Sequence, residues 1–83
     1  MRDIFTERDK ENEYMRVLVK RLCIENGLKY AHFAPMAGIK TRSFGNWMSR
    51  QNNLSRTNMY YLKKGIREKY HISIPEEIDF YEE

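Results

Sequence analysis

Apolar residues early in the chain fall at Met15, Leu18, Val19 and Leu22, spaced i, i+3, i+4, i+7. That spacing lines one face of an α-helix. Arg16, Lys20 and Arg21 fall largely off the stripe. Thr6-Glu7-Arg8-Asp9 has the pattern of a capping box and predicts the start of this helix. Asn26-Gly27 predicts its end, with glycine suited to the left-handed terminal position. A second, short helix is expected over about Tyr30 to Ala37, and a third over about Thr41 to Arg50, with Gly38 in the turn between them. Gln51-Asn52-Asn53 is a polar loop. Ser55 then caps a fourth helix that carries Met59, Leu62 and Ile66 on one face. His71-Ile72-Ser73-Ile74 alternates, as a short strand would, before Pro75. The pattern predicts an all-α domain of four to five helices joined by short connections.

At 83 residues the chain has room for one small domain. Hydrophobic residues make up 41%, enough for a thin core. No apolar run approaches the roughly 20 residues of a membrane helix, so no membrane association is expected. The first residues lack an apolar signal segment, so a cytoplasmic location in a bacterial host cell is expected. The single cysteine, Cys23, excludes an internal disulfide framework and a multi-cysteine zinc site. It reads best as a small buried apolar residue.

Charge divides the chain into three zones. Residues 1–13, an acidic arm or the start of the first helix, carry three basic and five acidic side chains. Residues 14–71 carry twelve basic side chains against only Glu25 and Glu68. Residues 72–83 form an acidic tail of five carboxylates and no base. The modest net charge of +3 therefore conceals a strongly basic centre, which favours a polyanionic partner through counterion release.

The basic zone contains a constellation suited to two helices crossing through a tight turn. Gly38 tolerates positive φ at the turn. Ala34 is small where the second helix crosses the first. Phe33, Ala37, Ile39, Phe44 and Trp47 supply apolar anchors from both sides. With Leu54-Ser55 and the amphipathic fourth helix, these residues resemble the helix-turn-helix of phage repressors and Cro proteins, the XRE-type family, over roughly residues 14–70. The resemblance implies a lambda-repressor-like fold and a small transcriptional regulator of phage or mobile-element type. Three positions depart from the pattern. Pro35 falls inside the first motif helix, so that helix either starts late or kinks. Gly45 stands on the exposed face of the second, and Ala31 replaces a polar residue that commonly meets phosphate.

If the second motif helix enters a major groove, its outward residues near the N-terminus meet base edges. Those are Thr41, Arg42, Ser43 and Asn46, with Arg42 suited to guanine and Asn46 to adenine. Thr41 is divided between this role and capping the helix. Lys29, Tyr30, Lys40, Arg50, Asn52, Asn53, Ser55 and Arg56 ring the motif and suit phosphate contacts, which position without specifying. Solvation is the favoured reading for Lys20, Lys63, Lys64, Arg67 and Lys69. Core packing is favoured for Trp47 over base stacking, and core or helix-edge packing for Tyr60, Tyr61 and Tyr70. His32 and His71 lie far apart with no partner cysteine, so no metal or cofactor is expected. No acid/base pair or phosphate-binding glycine loop points to an enzyme.

The expected partner is double-stranded DNA. A homodimer would use the fourth helix or the tail. Within the tail, Ile78, Phe80 and Tyr81 interleave with the acids. The favoured reading has it folding over the first helix; pairing with a second subunit, binding a host protein or shielding the basic face remain open. The alternative function is a helix-turn-helix scaffold that acts as a protein-binding adaptor or inhibitor of a host protein.

Overall fold

A computed structural model describes residues 7–74. Four helices follow in order: α1 (Glu7–Asn26), α2 (Tyr30–Ala37), α3 (Thr41–Met48) and α4 (Arg56–Tyr70). No strand occurs among the described residues. The Thr6 cap and the tail segment 75–83 lie outside them.

α1 buries Met15, Val19 and Leu22, as the stripe predicts. Gly27, at φ +65°, turns the chain, and the Leu28 N–H closes the helix end on the Cys23 carbonyl at 2.9 Å. α2 packs against both α3 and α4. Its buried residues are Phe33, Ala34 and Ala37. Ala34 matters because a larger side chain would hold the helices apart. α2 starts at Tyr30 and not late, with Pro35 inside it and exposed. The missing N–H leaves the Ala31 carbonyl without its helical donor. Ala31 is itself exposed, so water can serve instead.

The α2–α3 turn closes by paired hydrogen bonds. Gly38 N–H donates to the Pro35 carbonyl and Ile39 N–H to the Ala34 carbonyl, both at 3.1 Å. This arrangement needs a left-handed residue, and Gly38 holds φ +75°. The same pairing ends α3, where Arg50 N–H reaches the Trp47 carbonyl at 3.0 Å and Gln51 N–H the Asn46 carbonyl at 3.1 Å. α3 therefore stops at Met48 and not at Arg50, and Arg50 takes the left-handed position at φ +65°.

Phe44, Trp47 and Phe33 are fully buried and meet ring to ring. Phe44 lies 5.2 Å from Trp47 and 6.4 Å from Phe33 between centroids. Met59, Leu62 and Ile66 close the core from α4. Ser55 caps α4 by accepting from the Asn58 N–H at 3.1 Å. Gly65 has a packing reason beyond its weak helix propensity: a Cβ there would sit 3.2 Å from Met36 of α2.

Residues 71–74 are irregular where alternation predicts a strand. The alternation still holds in the side chains. Ile74 is buried and Ile72 half-buried, while His71 and Ser73 are exposed. One side packs on the core, but no neighbouring strand among the described residues pairs the backbone.

Candidate nucleic-acid interface

α3 has two unlike sides. Phe44, Trp47 and Met48 are buried, whereas Thr41, Arg42, Ser43 and Asn46 are all exposed. The four candidate base-reading residues thus share the solvent side of one helix. Lys40, not Thr41, occupies the capping position, with extended backbone and no side-chain cap bond. Thr41 is the first helical residue, so its hydroxyl does not cap. Lys29 stands in the corresponding place before α2, also without a side-chain cap bond. Neither helix has an acidic residue in its first turn. Both N-termini therefore keep the partial positive charge of their free N–H groups.

The candidate phosphate ligands fall into two groups. Lys29, Lys40 and Arg56 are exposed at or beside the starts of α2, α3 and α4. Tyr30 is half-exposed, with its ring 5.8 Å from Phe44. Ser55 spends its hydroxyl oxygen on the α4 cap. The others are tied to α1. Arg50 donates from Nε to Glu13 Oε1 at 2.9 Å and from Nη2 to Glu13 Oε2. Asn52 offers its carbonyl to Arg16 Nη2 at 2.7 Å, and Asn53 its Oδ1 to the same nitrogen at 3.4 Å.

That second group belongs to a polar anchor that sequence reasoning missed. Asn12 is buried on α1, and its Oδ1 accepts from Trp47 Nε1 at 2.7 Å and from the Leu54 N–H at 2.9 Å. Arg16, read as off the apolar stripe, is buried as well. Its Nε donates to the Trp47 carbonyl at 2.6 Å, and its guanidinium lies 5.3 Å from the indole centroid. Together these two side chains fix the end of α3 and the loop to α4. One signal was available: Asn12, Met15, Val19 and Leu22 run at 3-4-3 spacing, so Asn12 is a polar member of a buried stripe.

Lys63 also departs from the solvated reading. It is buried and donates to Glu11 Oε2 at 2.6 Å, pinning α4 to α1. Arg67 is half-buried and reaches the Ile74 carbonyl at 3.5 Å. Tyr70 packs beside Phe33 and bonds His32 Nε2 at 2.8 Å. Tyr60 and Tyr61, by contrast, are exposed and touch each other with ring centroids 5.5 Å apart.

The Arg50 guanidinium, aided by Arg16, holds the Glu13 carboxyl below the usual carboxylate range. A folded-state value below the unfolded one stabilises the fold above the ordinary carboxyl pKa. That contribution is lost as pH falls through the depressed value. Thermal melts of the wild type and Glu13→Gln should therefore differ at neutral pH and converge on acidification. A gap that persists at low pH would refute the ion-pair account. Burial pushes the Cys23 thiol up, the opposite of an activated nucleophile. No cluster of metal-ligating side chains occurs among the described residues, and no described helix is long and apolar enough to cross a membrane.

The described residues form a small all-α domain of four helices, with α2 and α3 joined by a tight glycine turn. Comparison with protein-family models, curated proteins and solved structures finds no match to it.

Proposed function

We propose that this protein binds double-stranded DNA sequence-specifically and regulates transcription, with α3 lying in the major groove. One observation carries the reading. Residues 26–67 contain no carboxylate, and within them α3 turns Arg42 and Asn46 to solvent between helix starts flanked by Lys29, Lys40 and Arg56. An outward side that is polar, basic and free of acids suits a polyanion with readable edges. Arg42 pairs with guanine and Asn46 with adenine, while Thr41 and Ser43 add adaptable contacts. Lys29, Lys40 and Arg56 hold phosphates. Arg50 contributes less, because Glu13 already neutralises it.

The test selects from a random duplex pool and then measures anisotropy at two salt concentrations. An enriched site and a steep salt slope are expected, each neutralised phosphate adding about 0.9 to the slope. Arg42→Ala should lose about 1–3 kcal/mol of discrimination at a single position of the site. Lys40→Ala should instead weaken all sequences alike. No binding at low salt would overturn the proposal and leave the protein-binding scaffold as the next reading.

Gly45 offers a second check. It lies inside α3 with nothing within 4 Å of an added Cβ. Gly45→Ala should therefore stabilise the fold by about 0.5–1 kcal/mol in chemical denaturation. If the α3 backbone sits against DNA at this residue, the same variant binds the selected site more weakly although it is more stable.

A further inference from the structure

Arg50 stands just past the end of α3, the helix that carries Arg42 and Asn46, and is exposed like both. Its Nε and Nη2 donate to the two oxygens of one carboxylate, that of Glu13. A guanidinium offers the same two-point fork to a phosphate. Glu13 thus fills the place on Arg50 that a DNA phosphate would take. Residues 26–67 contain no carboxylate, so the acid at this end of α3 has to come from another element, and α1 brings it. Among the described residues, an open groove beside the pair is lined by the cations Lys10, Arg16 and Arg50 and by one acid, Glu13. We propose that Glu13 is an internal substitute for a phosphate, which occupies Arg50 and limits the affinity of this protein for DNA. The inference rests on the DNA reading above.

Competition for one edge of the guanidinium decides the effect. The Arg50 side chain is 59% exposed and that of Glu13 43%, so a phosphate can approach from solvent. The edge formed by Nε and Nη2 takes one anion at a time. Glu13 belongs to the same chain, so dilution does not release Arg50. Removing the carboxylate leaves Arg16 provided for. Arg16 meets Glu13 at 3.4 Å, but it bonds the Trp47 and Asn52 carbonyls at 2.6 and 2.7 Å. The end of α3 therefore keeps its anchor when Glu13 is replaced, and the change falls on Arg50. Once freed, Arg50 adds one phosphate contact. Such a contact carries no sequence information, so every duplex gains alike and the selected site stays the same. One added phosphate steepens the salt slope by about 0.9, which amounts to about eightfold in affinity at about 0.1 M salt relative to about 1 M.

Fluorescence anisotropy of the full chain with the selected duplex and with a scrambled one, over a series of salt concentrations and well below the melting temperature, provides the test. Glu13→Gln should bind both duplexes about eightfold more tightly at about 0.1 M salt, with a slope steeper by about 0.9. Arg50→Gln should lower affinity more in the Glu13→Gln protein than in the wild type, and should cancel the gain. Glu13→Asp keeps the charge but is one methylene shorter on a fixed helix. It reaches Arg50 less well and should give part of the gain, and it carries the comparison if Glu13→Gln melts too low to assay. Unchanged binding by Glu13→Gln, where the wild type does bind DNA, overturns the proposal and leaves the DNA reading intact. A gain that survives Arg50→Gln also overturns it, because the carboxylate then acts through the general field and not through Arg50. A Glu13→Asp protein indistinguishable from the wild type overturns the two-point contact as the cause. A wild type that binds no DNA at low salt overturns the DNA reading, and this inference with it.

Discussion

Asn12→Ala is expected to cost about 2–5 kcal/mol of folding stability. The carboxamide oxygen of Asn12 is the acceptor for two donors, the Trp47 indole N–H and the Leu54 backbone N–H. Removing it strands both, and a buried donor left without an acceptor costs about 1–3 kcal/mol. A chain of this length has roughly 4–12 kcal/mol of stability in total at the usual value per residue. The substitution therefore removes a large share of it. Urea denaturation followed by far-UV circular dichroism gives the number. Asn12→Asp retains an acceptor oxygen one helical turn from the Arg16 guanidinium and should lose less at neutral pH. A change within about 0.5 kcal/mol, as for an ordinary surface site, would show that Asn12 does not carry these bonds in solution.

Arg16→Met should rank close behind, at about 2–4 kcal/mol. Methionine keeps the apolar stem that packs along α1 but offers no donor. The Trp47 carbonyl, the Asn52 carbonyl and Asn53 Oδ1 then lose a charged partner; a hydrogen bond to a charged group contributes about 1.5–3 kcal/mol net, and less where water takes the donor's place, as it can at the exposed Asn52. Trp47 is the single tryptophan of the chain, so its fluorescence reports this site alone. Emission should shift to longer wavelength in the folded variant as water reaches the indole. Unchanged emission with unchanged stability would remove Arg16 from the account of how α3 is held. Asn12 and Arg16 both act through Trp47, so the double variant should lose less than the sum of the single losses. Arg16→Met should also blunt any DNA preference under conditions where the protein stays folded, because the C-terminal end of α3 is fastened there.

The candidate interface was largely legible along the chain because its geometry is local. Thr41, Arg42, Ser43 and Asn46 share a helix whose opposite side is fixed by Phe44 and Trp47, and helical periodicity alone separates the two. What was not legible lies across the fold. Arg50 has the charge of a phosphate ligand, yet its partner Glu13 is 37 residues away. Lys63 and Glu11 are 52 apart. Spacing rules assign side chains to a side of one helix and do not say which other helix meets that side. The same gap explains Tyr60 and Tyr61, which aromatic character assigns to packing and which the arrangement of α4 leaves in solvent.

The sequence by itself determined the helices, their order and most of their ends. It did so through the apolar stripe of α1, Gly27 and Gly38 where the chain needs positive φ, and Ser55 where an N–H needs a cap. These are short-range demands of backbone sterics and hydrogen bonding, satisfied within a few residues. Only the tertiary structure decided that Asn12 and Arg16 hold α3 from beneath, that Glu13 takes the charge of Arg50, and that Lys63 is buried. Those outcomes depend on which polar groups are carried out of water together when the helices meet. A buried donor or charge must find its partner among residues far away in the chain, and only the packed fold fixes which residues those are.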